Sequence, residues 1–87
     1  MEKLTDTQRR VLEKIIEIMD MSGKTEIYEQ TPLRLLLEQG VATKTELWYA
    51  LCELDEKKIV FRGIGGYHKL VRITRNGQKL LKSGLLA

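Results

Sequence analysis

TKTELWYALCELDEKKIVFRGIGGYHKLVRIT, residues 43–74, combines two structural patterns within this chain of 87 residues. In its first half, apolar residues recur at intervals of three and four: Leu47, Ala50, Leu51 and Leu54. That spacing is typical of one buried helix face. The second half has β-branched and apolar residues on both sides of a run of glycines, which indicates two strands joined by a turn. The stretch therefore predicts a helix followed by a β-hairpin.

The predicted helix begins at Thr43 and runs through Lys57 and Lys58. Thr43 followed three residues later by Glu46 is a capping box, in which each side chain accepts a hydrogen bond from the other residue's backbone N–H. At about 100° per residue, the helix turns another set of residues away from its apolar stripe: Thr45, Tyr49, Cys52 and Glu56. Trp48 stands next to Tyr49, and one core cannot bury both rings, so at least one is expected to be exposed.

The glycine run in RGIGGYHK, residues 62–69, predicts a hairpin turn rather than a phosphate-binding loop. A phosphate-binding loop is followed by a helix, and the P-loop also needs Gly-Lys followed by Ser or Thr. Here Tyr67 follows the last glycine, and His68 stands where a dinucleotide-binding loop has its third glycine. We therefore expect strands at Ile59–Arg62 and Lys69–Thr74, joined by a glycine-rich turn.

The N-terminal part predicts an amphipathic helix with marked ends. Thr5 followed three residues later by Gln8 is a second capping box. Apolar residues then recur at helical spacing: Val11, Leu12, Ile15, Ile16 and Met19. Ser22-Gly23 is expected to end this first helix, because glycine takes the left-handed conformation of a helix C-terminus without strain.

Two more helices are expected, one on each side of the central stretch. Residues 24–30 alternate as a short strand would, but a helical turn also fits them, so both interpretations stay open. A second, short helix is expected to begin at Thr31-Pro32 and to end at Gly40. Thr74 is expected to cap a last helix, Arg75–Lys82. The chain therefore predicts one domain, residues 1–87, of the α+β class, mainly α.

The composition argues against several kinds of protein. The chain has one cysteine, Cys52, and one histidine, His68, which excludes an internal disulfide and leaves no cluster of metal ligands. No carboxylate pair or nucleophile–base pair points to an enzyme, and no cofactor is expected. No apolar run approaches the roughly 20 residues of a membrane span, and the MEKLTDTQRR start has no signal region. We expect a cytoplasmic protein without a membrane partner, and no small-molecule effector is evident.

Charge is distributed unevenly along the chain. The net charge is +3, yet residues 1–38 carry a net −2 and residues 39–56 a net −3. After Glu56 there is no acidic residue, and the segment carries eight basic ones. Such an asymmetry suggests a polyanionic partner, although a solvated basic surface is the alternative interpretation.

Three stretches carry a family resemblance. ATKTELWYALCELDEKKIVFR, residues 42–62, looks like a DNA-recognition helix that runs into a wing strand. The glycine hairpin follows it, and RITRNGQKLL, residues 72–81, is similar to the entry to a last helix. Together they resemble the winged helix-turn-helix superfamily, and within it the MarR-like transcriptional regulators. The resemblance implies a three-helix core, a β-hairpin wing and a short C-terminal helix.

The resemblance also implies a mode of binding to double-stranded DNA. The helix at 43–58 would lie in the major groove, and the wing at 59–74 would contact the backbone or the minor groove. The groove-facing candidates that it implies are Thr43, Lys44, Thr45, Trp48 and Tyr49. Its wing candidates are Arg62, Tyr67, His68 and Lys69, with Arg72 as a flanking backbone contact.

A homodimer is expected, because so few cations would make binding by one monomer weak and two-fold symmetry doubles the contacts. The first helix and Leu85-Leu86 are candidate interface segments, or else they complete the monomer core. The thiol of Cys52 is expected to be unreactive, with a redox role as the alternative and Lys44 as the nearby cation.

A second function class stays open at this point. The predicted recognition helix is net acidic, and Glu46 lies near its groove end, where a carboxylate repels phosphate. Capping is the simpler role for Glu46, although a carboxylate can also accept from a cytosine amino group. The exposed aromatic residues and the acidic helix would also suit a winged-helix protein-interaction module in a larger assembly.

Overall fold

The computed structural model describes residues 4–65 and 68–82, and its first element is a long helix, α1 (Asp6–Ser22). The capping box is present: Thr5 Oγ1 accepts from the backbone N–H of Gln8 at 3.1 Å, and Gln8 Oε1 accepts from the N–H of Thr5 at 3.2 Å. Gly23 ends the helix with a left-handed φ of 68°. Both predicted ends of the first helix are confirmed.

A two-residue strand, β1 (Ile27–Tyr28), and a short helix, α2 (Gln30–Glu38), follow. The strand alternative for residues 24–30 therefore holds for two residues only. The predicted start of α2, with Thr31 as the cap and Pro32 as the first helical residue, was wrong, because the helix begins two residues earlier, at Gln30 after Glu29. The Glu29 side chain makes no capping hydrogen bond to the helix. Its position is set by the long-range contacts described below. Pro32 still lies in the first helical turn, where its missing N–H is not needed.

The next helix, α3 (Lys44–Glu56), has the predicted start and an unexpected end. Thr43 and Glu46 form the capping box, with both N–H···O distances at 3.1 Å. The prediction that the helix runs through Lys58 was wrong. Lys58 takes a left-handed φ of 60°, and the N–H of Ile59 donates to the Leu54 carbonyl at 3.0 Å. This hydrogen bond closes a Schellman-type helix end, a position usually held by glycine.

The hairpin consists of β2 (Val60–Gly65) and β3 (His68–Ile73), which pair antiparallel from Val60 with Ile73 to Gly65 with His68. The predicted hairpin is confirmed, but the glycine run is not a long turn. The predicted end of the first strand at Arg62 was wrong, because β2 continues through Gly65, and β3 begins one residue before the predicted Lys69. β1 pairs antiparallel with β3, so the sheet order is β1-β3-β2.

The last helix, α4 (Arg75–Lys82), matches the prediction and is fixed to the start of β2. Thr74 Oγ1 accepts from the N–H of Gly77 at 3.1 Å and lies 2.8 Å from the Ile59 carbonyl oxygen. The Thr74 N–H donates to the same carbonyl at 3.1 Å. Gly77 is needed here, because a Cβ at this position would stand 2.4 Å from the Ile59 oxygen.

The core lies between α1, α2, α3 and one face of the sheet. Its buried apolar side chains are Val11, Leu12, Ile15, Ile27, Leu36, Leu47, Ala50, Leu51, Leu54, Ile59, Val60 and Val71. Leu80 of α4 packs against this cluster, while Leu81 and Leu85-Leu86 lie outside the side chains that the structure describes. The chain is therefore α+β and mainly α. None of the described helices has the length and apolar character needed to cross a membrane.

Substituting Gly77 by alanine is expected to destabilise the fold by about 1–3 kcal/mol, because the new methyl group would overlap backbone atoms that are themselves hydrogen-bonded. Urea unfolding measures the change. Asn76→Ala, at the exposed neighbouring position, is the matched control and is expected to stay within about 0.5 kcal/mol of the parent. Equal stability of the Gly77→Ala variant would contradict the close approach of α4 to Ile59.

Candidate nucleic-acid interface

The N-terminal half of α3 presents most of the residues that the sequence placed in a DNA groove. Thr43, Lys44 and Thr45 are exposed, and Tyr49 is 61% exposed. They occupy the outer side of the first turns because Leu47 and Ala50 turn the opposite side into the core. Each of these predicted groove-facing residues is therefore accessible to a partner.

Glu46 takes part in capping the N-terminus of α3. Its carboxylate accepts from the Thr43 N–H, and this backbone hydrogen bond, followed by the one to the Thr43 side chain, lowers the pKa of Glu46 below its ordinary value. A negative charge there also suits the positive end of the helix dipole. Capping accounts for this carboxylate without a contact to a base.

Trp48 connects α3 to the hairpin. The guanidinium carbon of Arg62 lies 4.5 Å from the centroid of the Trp48 ring, and Lys69 Nζ lies 5.1 Å from it. Both distances are within the range of cation–π attraction. The ring is 38% exposed. One side chain of α3 thus brings a residue of β2 and a residue of β3 to the same surface.

Arg62 is engaged within the protein. Its Nε and Nη2 donate to the two carboxylate oxygens of Glu29 at 2.9 and 3.1 Å, and its Nη1 lies 3.4 Å from Cys52 Sγ. The hydrogen bonds to Glu29 raise the pKa of Arg62 further above its ordinary value, so the guanidinium stays charged. A paired, largely buried arginine of this kind favours positioning of Trp48 over direct contact with a phosphate.

Glu29 is the residue that the sequence did not single out. Its side chain is 4% exposed, and its backbone N–H donates to the Lys69 carbonyl at 3.0 Å. The backbone contact holds Glu29 beside β3, while its carboxylate holds Arg62 of β2. Glu29 therefore joins the start of α2 to both strands of the hairpin.

Cys52 has a different cationic neighbour from the one expected. The sequence pointed to Lys44, at the start of the same helix. In the structure, the Arg62 guanidinium lies beside the Cys52 sulfur instead. The thiol is half-buried. Its contact with Arg62 gives it a part in holding the hairpin against α3.

Arg72 lies on the other face of the sheet. It is paired with Phe61 across the strands, and its guanidinium carbon lies 4.9 Å from the Phe61 ring centroid. Arg62 is paired with the buried Val71 and so faces the helices. The structure thus brings Arg62 and Lys69 together with α3 and separates Arg72 from them. Tyr67 and the side chain of His68 lie outside the described residues.

A groove of about 550 Å³ opens beside this cluster, between α2, α3 and β3. Its lining includes apolar residues of both helices, namely Leu33, Leu37, Leu47 and Trp48, and three cations, Arg34, Lys44 and Lys69. We call it the α2–α3 groove. Sequence reasoning did not find it, because the groove depends on how far α2 stands from the hairpin.

Comparisons with known proteins give the fold alone. No protein-family model and no curated protein matches the chain. The crystal structure of AF1382 from Archaeoglobus fulgidus is similar, with a TM-score of 0.60 and 18% sequence identity over 88% of this chain and 77% of that one. The described architecture therefore also occurs in an archaeal protein of low sequence identity.

Replacing Glu29 by glutamine is expected to loosen the hairpin from α3. The substitution keeps the shape but leaves Arg62 without its counter-charge, and hydrogen bonds to charged groups contribute about 1.5–3 kcal/mol. Trp48 is the one tryptophan of the chain, so its fluorescence reports directly on the cluster. We expect a shifted emission spectrum and a lower urea midpoint. Glu26→Gln, at an exposed position nearby, is the control; an unchanged spectrum for Glu29→Gln would contradict the role of the ion pair.

Glu46 gives the fold a pH-dependent contribution of known sign. Because its pKa is lowered in the folded chain, the ionised carboxylate adds stability above the usual glutamate pKa of 4.5, and this contribution disappears as the pH falls. The stability difference between the parent and Glu46→Gln should therefore be constant above pH 4.5 and shrink below it. Urea unfolding at a series of pH values measures the difference. A difference that grows on acidification would contradict the capping role.

Proposed function

We propose that the chain is a winged helix-turn-helix transcriptional regulator that binds duplex DNA. The N-terminal half of α3 would enter the major groove, and the hairpin would contact the backbone or the adjacent minor groove. The observation that carries the proposal is the contact of Arg62 and Lys69 with the Trp48 ring. It keeps the hairpin and the exposed start of α3 on one side of the molecule, where a single duplex can touch both.

The direct contacts are assigned to residues whose polar groups are accessible. On α3 these are Thr43, Lys44, Thr45 and Tyr49, and on the hairpin Lys69. Arg62 and Trp48 position them, since the guanidinium is bound to Glu29 and the ring lies against the two cations. Arg72, on the outer face of the sheet, is left as a flanking phosphate contact. This division departs from the sequence interpretation, which gave Arg62 a direct role.

The charge distribution supports the same orientation. Three of the four acidic residues of α3, namely Glu53, Asp55 and Glu56, lie in its C-terminal half, away from Lys44, while Glu46 lies in its first turn. The basic segment begins after them. A duplex placed along the start of α3 and Lys69 would therefore avoid most of the carboxylates of the helix. Since so few cations remain, we propose that the chain binds as a homodimer, which doubles the phosphate contacts.

A protein-interaction module is the second candidate. The observation in its favour is the exposure of large apolar side chains that line the α2–α3 groove together, with Leu37 at 43% and Trp48 at 38%. Exposed apolar side chains in one area often mark a protein interface. The two candidate functions differ in whether the chain binds duplex DNA with an affinity that falls as the salt concentration rises.

A salt series with random-sequence duplex DNA tests the proposal. The logarithm of the binding constant should fall linearly with the logarithm of salt concentration, by about 0.9 per neutralised phosphate. Removing two contacts in a Lys44→Ala, Lys69→Ala double variant should flatten the slope by about two units per monomer. Fluorescence anisotropy of a labelled duplex provides the measurement.

The matched control removes the same charge elsewhere. Lys14→Ala and Lys24→Ala, changed together, take two lysines from α1 and the loop after it. This control should keep the parent slope within about half a unit. No binding at low salt, or an equal loss in both double variants, would contradict the assignment and favour the interaction module.

A further inference from the structure

The α2–α3 groove has a feature that contact with DNA does not use. Leu33 and Leu37 stand one helical turn apart on α2, and Trp48 faces them from α3. Leu37 is 43% exposed although it lies beside the core. Phosphates and sugars gain nothing from a leucine pair of this kind. The apolar surface therefore points to a ligand that brings apolar groups of its own.

The rim of the groove is cationic. Arg34, Lys44 and Lys69 line it, and within residues 4–65 and 68–82 none of the three forms an ion pair. Glu29 is the one carboxylate among the residues that line the groove, and its charge is balanced by Arg62. A ligand in the groove would thus meet positive charge around an apolar surface.

These two properties together restrict the chemistry of the occupant. A bare anion would satisfy the cations but leave the leucines in water, and a wholly apolar segment would strip water from the three cations without replacing it. A segment that alternates carboxylates with large apolar side chains satisfies both. The volume of about 550 Å³ admits a few side chains rather than a whole domain.

We propose that the α2–α3 groove binds an acidic amphipathic peptide segment of a partner protein. Apolar side chains of the segment pack on Leu33, Leu37 and Trp48, in the manner of a helix that sets its apolar stripe in a groove. Its carboxylates pair with Arg34, Lys44 and Lys69. The charge pattern of the groove, rather than its apolar area alone, identifies the partner as acidic.

The groove shares two lysines with the surface proposed for DNA. A peptide that covers Lys44 and Lys69 would compete with phosphates for both charges, so peptide and duplex would exclude one another. This exclusion rests on the proposed function, whereas binding of the peptide does not. A partner with such a segment would therefore release the chain from DNA without any change in the fold.

The proposal is tested by selecting peptides that bind the full chain from a displayed library of random sequences. Enriched peptides are expected to be rich in Asp and Glu, with Leu, Phe or Trp at spacings of three and four residues. Binding should also change the fluorescence of Trp48, the one tryptophan of the chain. No enrichment, or enrichment of basic or uncharged peptides, would overturn the proposal.

Two variants separate the groove from the DNA surface. Leu37→Ser removes apolar area and should weaken the binding of an enriched peptide about tenfold. This is the loss of affinity expected when most of one buried leucine side chain is removed. Arg34→Ala removes one positive charge from the rim of the groove and should weaken peptide binding about threefold. Neither residue is assigned to DNA, so both variants should bind duplex as the parent does. Met21→Ser, at a position 80% exposed and outside the groove lining, is the control and should bind peptide normally.

The outcomes distinguish the two proposals. Peptide binding that survives Leu37→Ser places the peptide elsewhere and overturns the assignment of the groove. A concentration-dependent dimer that Leu37→Ser dissociates would show a second copy in the groove and would also overturn it. Failure of the chain to bind DNA would leave the peptide result intact. A complex holding both peptide and duplex would overturn the mutual exclusion.

Discussion

The ion pair between Glu29 and Arg62 ties three separate parts of the chain together. Glu29 stands at the start of α2 and is hydrogen-bonded through its backbone to β3, while Arg62 belongs to β2. With its charge balanced, the guanidinium can lie on the Trp48 ring at 4.5 Å and beside the Cys52 sulfur. The Glu29 side chain is only 4% exposed, and a carboxylate buried to this extent needs its partner, because an unpaired buried charge costs several kcal/mol. The relation between α3 and the hairpin follows from this constraint.

Local signals in the sequence predicted most of the fold. Both capping boxes, the helix end at Gly23 and the Thr74 cap are set by neighbouring residues, and each was found in its predicted place. The hairpin was also found, with longer pairing between its strands than predicted. The errors arose where distant residues decide. Lys58 ends α3 in a left-handed conformation although it is not glycine, and its carbonyl accepts a hydrogen bond from the distant Thr74 hydroxyl. Glu29, the residue before α2, is hydrogen-bonded to both strands of the hairpin.

The sequence named part of the cluster around Trp48, namely Arg62 and Lys69, but it missed Glu29 and grouped Arg72 with residues of the opposite face of the sheet. The basic residues after Glu56 suggested a cationic hairpin, and Lys69 lies where that interpretation needs it. Arg62 could have been placed inward from the sequence, since Val60 and Arg62 alternate with the exposed Phe61 and one face of a strand repeats every second residue. Its partner could not, because nothing near Glu29 in the sequence indicates a contact 33 residues away.

In the proposed function, α3 and the hairpin would contact one duplex together. The most direct measurement is a titration of the full chain with a short random-sequence duplex, followed by backbone amide chemical shifts. The account predicts that the amides of Lys44 and Thr45 and those of Lys69 and Val71 shift together along one binding curve, while those of α1 stay in place. Shifts confined to α1, or to one of the two elements without the other, would contradict it.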